Sequence, residues 1–507
     1  MKTDNGQSTS IWMASANVPG YPLLTKNLRV SHCVVGAGIA GLTTAYRLLQ
    51  EGFQVAVVDD GLVGGGETSR TTAQLTCMLD LGYAETEKLR GTDGARLAAA
   101  SHSAAISEIE QIILRENIDC DFARMDGFLF LGPDDTTDTL TEEYEAAQRA
   151  GLTGVALVDQ LMAGGKSLGP ALRFPHQGHF HILKYLSGLC QAIERMGGAI
   201  YSGTHVTKLQ SGPPITLETE AGFQIVADTV VLATNVPIID VLGYSAKLSP
   251  HRTYVIGLRV PKGSVTQAIY FDTEDPYHYL RIQPEGDHDV LMVGGEDHKT
   301  GQADDMDERY IELESWARDH FPTAEQVLYK WSGQVINSLD GLALIGPDLV
   351  EKNVYIITGD TGMGMTHGTI GGLLVTDMIA GRPNPWAKLY DPARIPARTL
   401  GTLLQEGINV VAQYTELLTG GEVTSETDIP LGSGAIMGWG PNKVAVYRNA
   451  QGTTYTRSAV CPHLGCIVAW NDGEKSWDCP CHGSRFDPYG HVVNGPAASD
   501  LGPASSE

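Results

Sequence analysis

The chain has 507 residues, room for about three domains, and its 42% hydrophobic, 19% charged residues and 59 glycines are those of a folded globular protein. That balance excludes a disordered or collagenous chain. Sixty acidic against 35 basic residues give a net charge of −25, with no basic run to displace counterions from phosphate, so neither nucleic acid nor an anionic membrane surface is an expected partner.

In chain order, residues 1–28 read as a loosely ordered arm. From Val30 the pattern is α/β: an apolar strand, a glycine turn, an amphipathic helix and a second strand ending at Asp59. Helical stretches are expected through about Gln148, then a helix near His181–Met196 and strands at 203–210 and 229–234. Residues 250–300 alternate apolar and polar side chains with aromatics, the pattern of an antiparallel sheet. At Asn353–Ile357 a strand meets a glycine-rich turn and another helix. The proline-rich run from Gly381 marks a boundary, a linker helix is expected within 396–427, and residues 428–507 read as a small all-β module. No stretch reaches 18 consecutive apolar residues and the N-terminus lacks a signal or twin-arginine pattern, so a cytoplasmic protein without a bilayer span is expected.

Gly36, Gly38 and Gly41 lie between strand and helix, with Ile39 and Ala40 opening the helix. The first glycine permits the tight turn, the second lets the backbone approach a pyrophosphate, and the third lets helix and strand pack closely. The helix N-terminus then faces the phosphates with its positive end. Asp59 ends the next strand, placed to accept from a ribose hydroxyl. Near Thr358 a second device appears: Gly359, Gly362 and Gly364 let backbone N–H groups converge ahead of a helix, a preorganised hole for negative charge.

The segments GAGIAGLTTAYRLLQEGFQVAVVDD, ETSRTTAQLT and TGDTGMGMTHGTIGGLLVTDMIAG resemble, in that order, those of the glycine oxidase/D-amino-acid oxidase superfamily of FAD enzymes, gamma-glutamylputrescine oxidoreductase-like members included. The resemblance spans residues 10–395 and implies a Rossmann-like FAD-binding domain with an inserted antiparallel-sheet substrate domain. Within 29–395, FAD binding is expected from about 29–80, 150–235 and 330–395, and the substrate domain from about 81–149 and 236–329. The implied FAD contacts, beyond the first glycine loop, are Arg70, Thr71, Thr72, Ala73, Val206, Ala233, Thr234, Asp360, Gly362, Gly364, Met365 and Thr366. Two departures stand out: Ala343 replaces a proline found in many members, and Arg70 stands where some relatives carry a histidine covalently attached to flavin.

Four of the eight cysteines, Cys461, Cys466, Cys479 and Cys481, fall within 21 residues, which marks a local site rather than a disulfide scaffold. Cys461-x-His463 and Cys479-x-x-His482 allow three readings: structural zinc, a redox dithiol, or a Rieske [2Fe–2S] cluster. Zinc fingers usually group like with like, and a dithiol has no use for histidines. A Rieske cluster needs one cysteine and one histidine from each of two loops, which the spacing fits. The words CPHLGC and CPCHGS also resemble the Rieske family, and that resemblance implies a disulfide between Cys466 and Cys481. It further implies that Ser484 donates to a bridging sulfide, whereas Phe486 stands where high-potential members have a donating tyrosine.

Flavin accepts electrons in pairs and the cluster singly, so the combination implies a dehydrogenase that passes electrons to an external acceptor, and the family resemblance implies that it oxidises a C–N bond of a small amine or amino acid. The inverse flow from a ferredoxin-type donor, or a non-catalytic electron carrier, stays open on sequence, as does assembly into a homo-oligomer. Candidate catalytic residues are Arg252, as a clamp for a substrate carboxylate, with Tyr254, Tyr277, Tyr279 and His367. His298 and His181 read as local hydrogen-bonders or caps. Because Phe486 removes one donor to a ligand sulfur, the cluster is expected within the Rieske range of roughly −150 to +300 mV but below its top. Protein-film voltammetry checks this, and a potential at the upper limit contradicts it.

Overall fold

The computed structural model describes residues 5–238, 243–395 and 399–504. The run Leu28–Val35 is the centre of an eight-stranded sheet, and its last four residues are buried because helices and strands cover both faces. It pairs in parallel with Val55–Val58 on one side and Gln224–Asn235 on the other. Ala199–Tyr201 and Val354–Thr358 extend this parallel core. Leu344–Pro347 closes one edge antiparallel, and the hairpin of Val206–Gln210 and Ile215–Thr219 attaches to Gln224–Asn235. The turn into the helix Ile39–Gln50 needs glycine twice: Gly36 has φ 106°, and a Cβ on Gly41 would collide with the Gly36 carbonyl. That close approach sets the helix N-terminus at the end of the central strand.

A second sheet of nine strands lies alongside. Its order runs Val327–Ser338, Leu248–Pro261, His288–Lys299, His278–Glu285, Ile269–Asp272, Ala123–Phe130, Lys166–His179 and Gln74–Leu75, with Ala156–Ala163 paired to Lys166–His179. Residues 150–179, expected with the nucleotide-binding part, instead supply two strands of this sheet, and 330–338 belongs to it as well. The long Lys166–His179 strand is interrupted by Gly169, Pro170 and Pro175, which hid its alternation. Ala123–Phe130 likewise breaks the stretch expected to be helical, between the helices Tyr83–Glu116 and Thr137–Arg149.

The N-terminal arm is packed rather than loose. Ser10 caps the short helix Ile11–Ser15 by accepting from the Met13 N–H, and its hydroxyl donates to the Ser69 carbonyl at 2.6 Å. Trp12 is fully buried, with its indole N–H donating to the Thr71 carbonyl at 2.6 Å and its ring 5.1 Å from the Arg281 guanidinium. The apolar triplet Ile11-Trp12-Met13 has a groove to fill, and filling it braces the segment Ser69–Thr71.

The helix Leu400–Gln413 and the turn Tyr414–Leu418 lead to the C-terminal module. It consists of the antiparallel strands Ser433–Met437, Val444–Arg448 and Thr454–Ser458, and a four-stranded sheet from Ala469 to Asn494. Among the described residues no helix is long and apolar enough to cross a membrane.

Candidate functional site

A cavity of about 270 Å³ opens where the central strands end. Gly36, Gly38, Ile39, Ala40 and Asp59 line it together with Val206, Ala233 and Thr234, all expected at the dinucleotide. Arg70, Thr71, Thr72, Asp360, Gly362, Gly364, Met365 and Thr366 line it too. Gly41 and Ala73 do not: Gly41 packs against the turn, and Ala73 turns its carbonyl to Arg281, 2.9 Å away. Asp59 holds the glycine turn by accepting from the Ala37 and Gly61 N–H groups at 2.5 and 2.8 Å. The cradle suits FAD: glycine backbone faces the space, the helix Ile39–Gln50 points its N-terminus there, and an acid closes the strand end.

Several lining residues escaped the sequence reading. Gly64, Gly65, Gly66 and Thr68 extend the first loop, and the run GGG was a visible signal. Asn5 of the arm and Val493, Asn494 and Gly495 of the C-terminal module also form part of the wall. No local pattern announces those.

The catalytic candidates separate by strand parity. Along Leu248–Pro261, Thr253 faces the cavity, so its neighbours Arg252 and Tyr254 face away. Arg252 is fully buried against the C-terminal module, donating to the Ser332 hydroxyl at 3.3 Å, and is no carboxylate clamp in this cavity. Tyr254 bonds His298 at 2.8 Å within the core on the far side of the sheet. Tyr277 and Tyr279 do line the cavity; Tyr279 shares a 2.8 Å hydrogen bond with Thr253. His367 lines it as well, but Nδ1 donates to the Asp360 carbonyl at 2.8 Å and Nε2 accepts from the Ala343 N–H. Burial lowers its pKa to about 4, so it is a neutral residue that positions the loop rather than a proton carrier. His181 caps the helix Ile182–Arg195.

In the C-terminal module two loops present Cys461 with His463 and Cys479 with His482. The Gly465 N–H donates to the Cys461 carbonyl and the Gly483 N–H to the Cys479 carbonyl, each at 3.0 Å, so the two loops turn alike. Cys466 and Cys481 form a disulfide with Cα atoms 6.4 Å apart, tying the loops together. The His463 and His482 rings lie 5.0 Å apart, and Cys479 hydrogen-bonds Cys461, lowering its pKa. Two adjacent sulfurs and two adjacent imidazoles are the donor set of a Rieske cluster, with the disulfide sulfurs already committed. His463 is half-buried between exposed Pro462 and Leu464, whereas His482 is buried on the side of the flavin-type body.

Between the two sites lies a buried ion network. Glu474 accepts from Arg70 at 3.2 Å, from the Ser332 hydroxyl at 2.5 Å and from Ser8. Arg485 bonds Asp478 at 3.1 Å and Asn5 at 2.9 Å. Burial pushes Glu474 upward, but Arg70, Arg252 and Arg485 outweigh it and hold its pKa at about 2. Gln334 lines the cavity, receives Thr300, and donates its side-chain N–H to the Gly483 carbonyl at 3.0 Å, next to His482.

The fold and the two sites define a flavoprotein oxidoreductase carrying an iron–sulfur module. The family of FAD dependent oxidoreductases (DAO) matches residues 31–378 and the Rieske [2Fe-2S] domain matches residues 421–503. The chain belongs to the DAO family of FAD dependent oxidoreductases and carries a C-terminal Rieske domain, so its cofactors are FAD and a [2Fe–2S] cluster. It is 31% identical over 496 residues to the Bacillus subtilis protein YhfW, named for a Rieske 2Fe-2S centre, covering 97% of this chain and 96% of that one. It is 28% identical over 390 residues to gamma-glutamylputrescine oxidoreductase of Escherichia coli, covering 74% of this chain and 89% of that one. The crystal structure of glycine oxidase from Geobacillus kaustophilus shares the fold, with a TM-score of 0.60 at 20% identity over 73% of this chain and 100% of that one.

Glu474→Gln removes the carboxylate that pairs with buried Arg70 and one of the carboxylates around buried Arg252, and is expected to cost about 3–5 kcal/mol, read as a fall in the denaturation midpoint. The carboxylate's contribution is complete above its ordinary pKa and is lost as pH falls towards about 2, so wild type and variant converge in acid.

Proposed function

We propose that this chain is a dehydrogenase that oxidises the C–N bond of a small amine or amino acid and delivers the electrons singly to an external acceptor. When bound, FAD supplies the two-electron acceptor and the Rieske cluster the one-electron outlet. Loss of two electrons and two protons leaves an imine, which water hydrolyses to a carbonyl compound. The chain's own residues supply the environment: Thr253 and Tyr279 present a hydroxyl pair in the cavity, and Ala343 and Asp360 fix the ring of His367.

One observation carries the reading. The Rieske module forms part of the FAD cavity's wall through Val493–Gly495, and Gln334 touches both the cavity and the loop of His482. An outlet seated on the flavin cavity, with His463 facing outward, serves a dehydrogenase, whereas an oxidase reacting directly with O2 has no use for it. The similarity to gamma-glutamylputrescine oxidoreductase supports a C–N substrate.

Anaerobic stopped-flow mixing with a panel of amines and amino acids, following both chromophores, tests the proposal. Flavin bleaching followed by cluster reduction is expected. If no such compound reduces either centre, or if a reduced donor protein is required, the proposal fails.

A further inference from the structure

We infer that the substrate carries a second cationic group, which Asp80 recognises, and that α-amino acid carboxylates are excluded. This rests on the amine-oxidising reading above and names the substrate class of that site.

The part of the cavity formed by the nine-stranded sheet presents Asp80, Thr253, Phe271, Tyr277 and Tyr279. Asp80 is exposed into this space, and its one hydrogen bond among the described residues is a long one, 3.4 Å, from the Tyr277 hydroxyl. A side chain at Gly362 would collide with the Asp80 carboxylate, so that glycine lets the acid sit directly against the flavin-type loop. Asp80 is therefore held beside the flavin-type loop with acceptor capacity to spare. Phe271, Tyr277 and Tyr279 line the same space, and aromatic rings attract a cation to their faces.

The charged side chains that line the cavity are predominantly acidic. Among the described residues, Asp59, Asp60, Glu67, Asp80 and Asp360 line the cavity against a single Arg or Lys side chain, Arg70, whose guanidinium donates to Ser8, Ser332 and Glu474. Arg252 faces the other side of the sheet, and Arg281 is spent on the carbonyls of Ala73 and Phe180. A substrate carboxylate would meet like charge with no clamp to receive it. Asp80 is open to the cavity but enclosed by protein on its other sides, and that enclosure, with Asp297 and Asp360 nearby, raises its pKa to about 7; an ammonium seated against it would relieve the cost of its charge.

Calorimetric titration of the dithionite-reduced holoprotein, which binds without turning over, tests this. The probes are diaminoalkanes of three to six carbons, monoamines of equal length and the matching α-amino acids. Diamines are expected to bind at least tenfold tighter than the equal-length monoamines, and Asp80→Asn to erase that ratio. α-Amino acids binding as tightly as diamines, or a ratio that survives in Asp80→Asn, would overturn the inference. Should the variant fail to retain FAD, the comparison of the three ligand series in unaltered protein still decides. Binding and oxidation fail separately: amino acids that bleach the flavin while diamines do not bind sink the inference alone. Diamines that bind through Asp80 yet leave the oxidised flavin unbleached uphold the recognition and sink the proposed oxidation.

Discussion

The arrangement depends on a buried carboxylate meeting buried guanidiniums across a domain boundary. Glu474 comes from the Rieske module and Arg70 from the flavin-contacting segment, and both are nearly inaccessible to water. Desolvating such charges costs several kcal/mol per ion, and only close pairing with further hydrogen bonds offsets it. Separation of the two bodies would strand those charges, so the interface strongly favours one docked geometry. A linker alone would supply only a high local concentration. Here the module is fixed, and the N-terminal arm takes part through Ser8 and Asn5.

That constraint has a consequence for the cavity. The same strand that contributes Thr253 to the cavity contributes Arg252 to the interface on its other face. One residue's step along a strand thus divides substrate chemistry from domain docking. It also turns the Arg252 guanidinium away from the cavity. The cluster loops are oriented by the same docking, with His482 against the body and His463 towards solvent.

Much of this was legible in the sequence because the relevant chemistry is local there. Gly36-x-Gly38-x-x-Gly41, the Asp360–Thr366 loop and the two Cys/His boxes each sit within a few residues, where spacing alone reports geometry. The ion network was not legible, since Arg70 and Arg252 lie far along the chain from each other and from Glu474 and Asp478, and a lone arginine carries no address. Strand parity at Arg252 depends on which face the sheet buries, and both faces here are covered. The strands 156–179 were missed because glycine and proline interrupt their alternation, and the packed arm because one apolar triplet in a polar run predicts burial only once its groove is known.

The central claim is that electrons pass from flavin to cluster within a single chain held in a fixed pose. The most direct measurement is the rate of cluster reduction after rapid flavin reduction, followed over a wide range of protein concentration. A first-order rate independent of concentration is predicted; a rate that rises in proportion to concentration would show transfer between molecules and contradict the account.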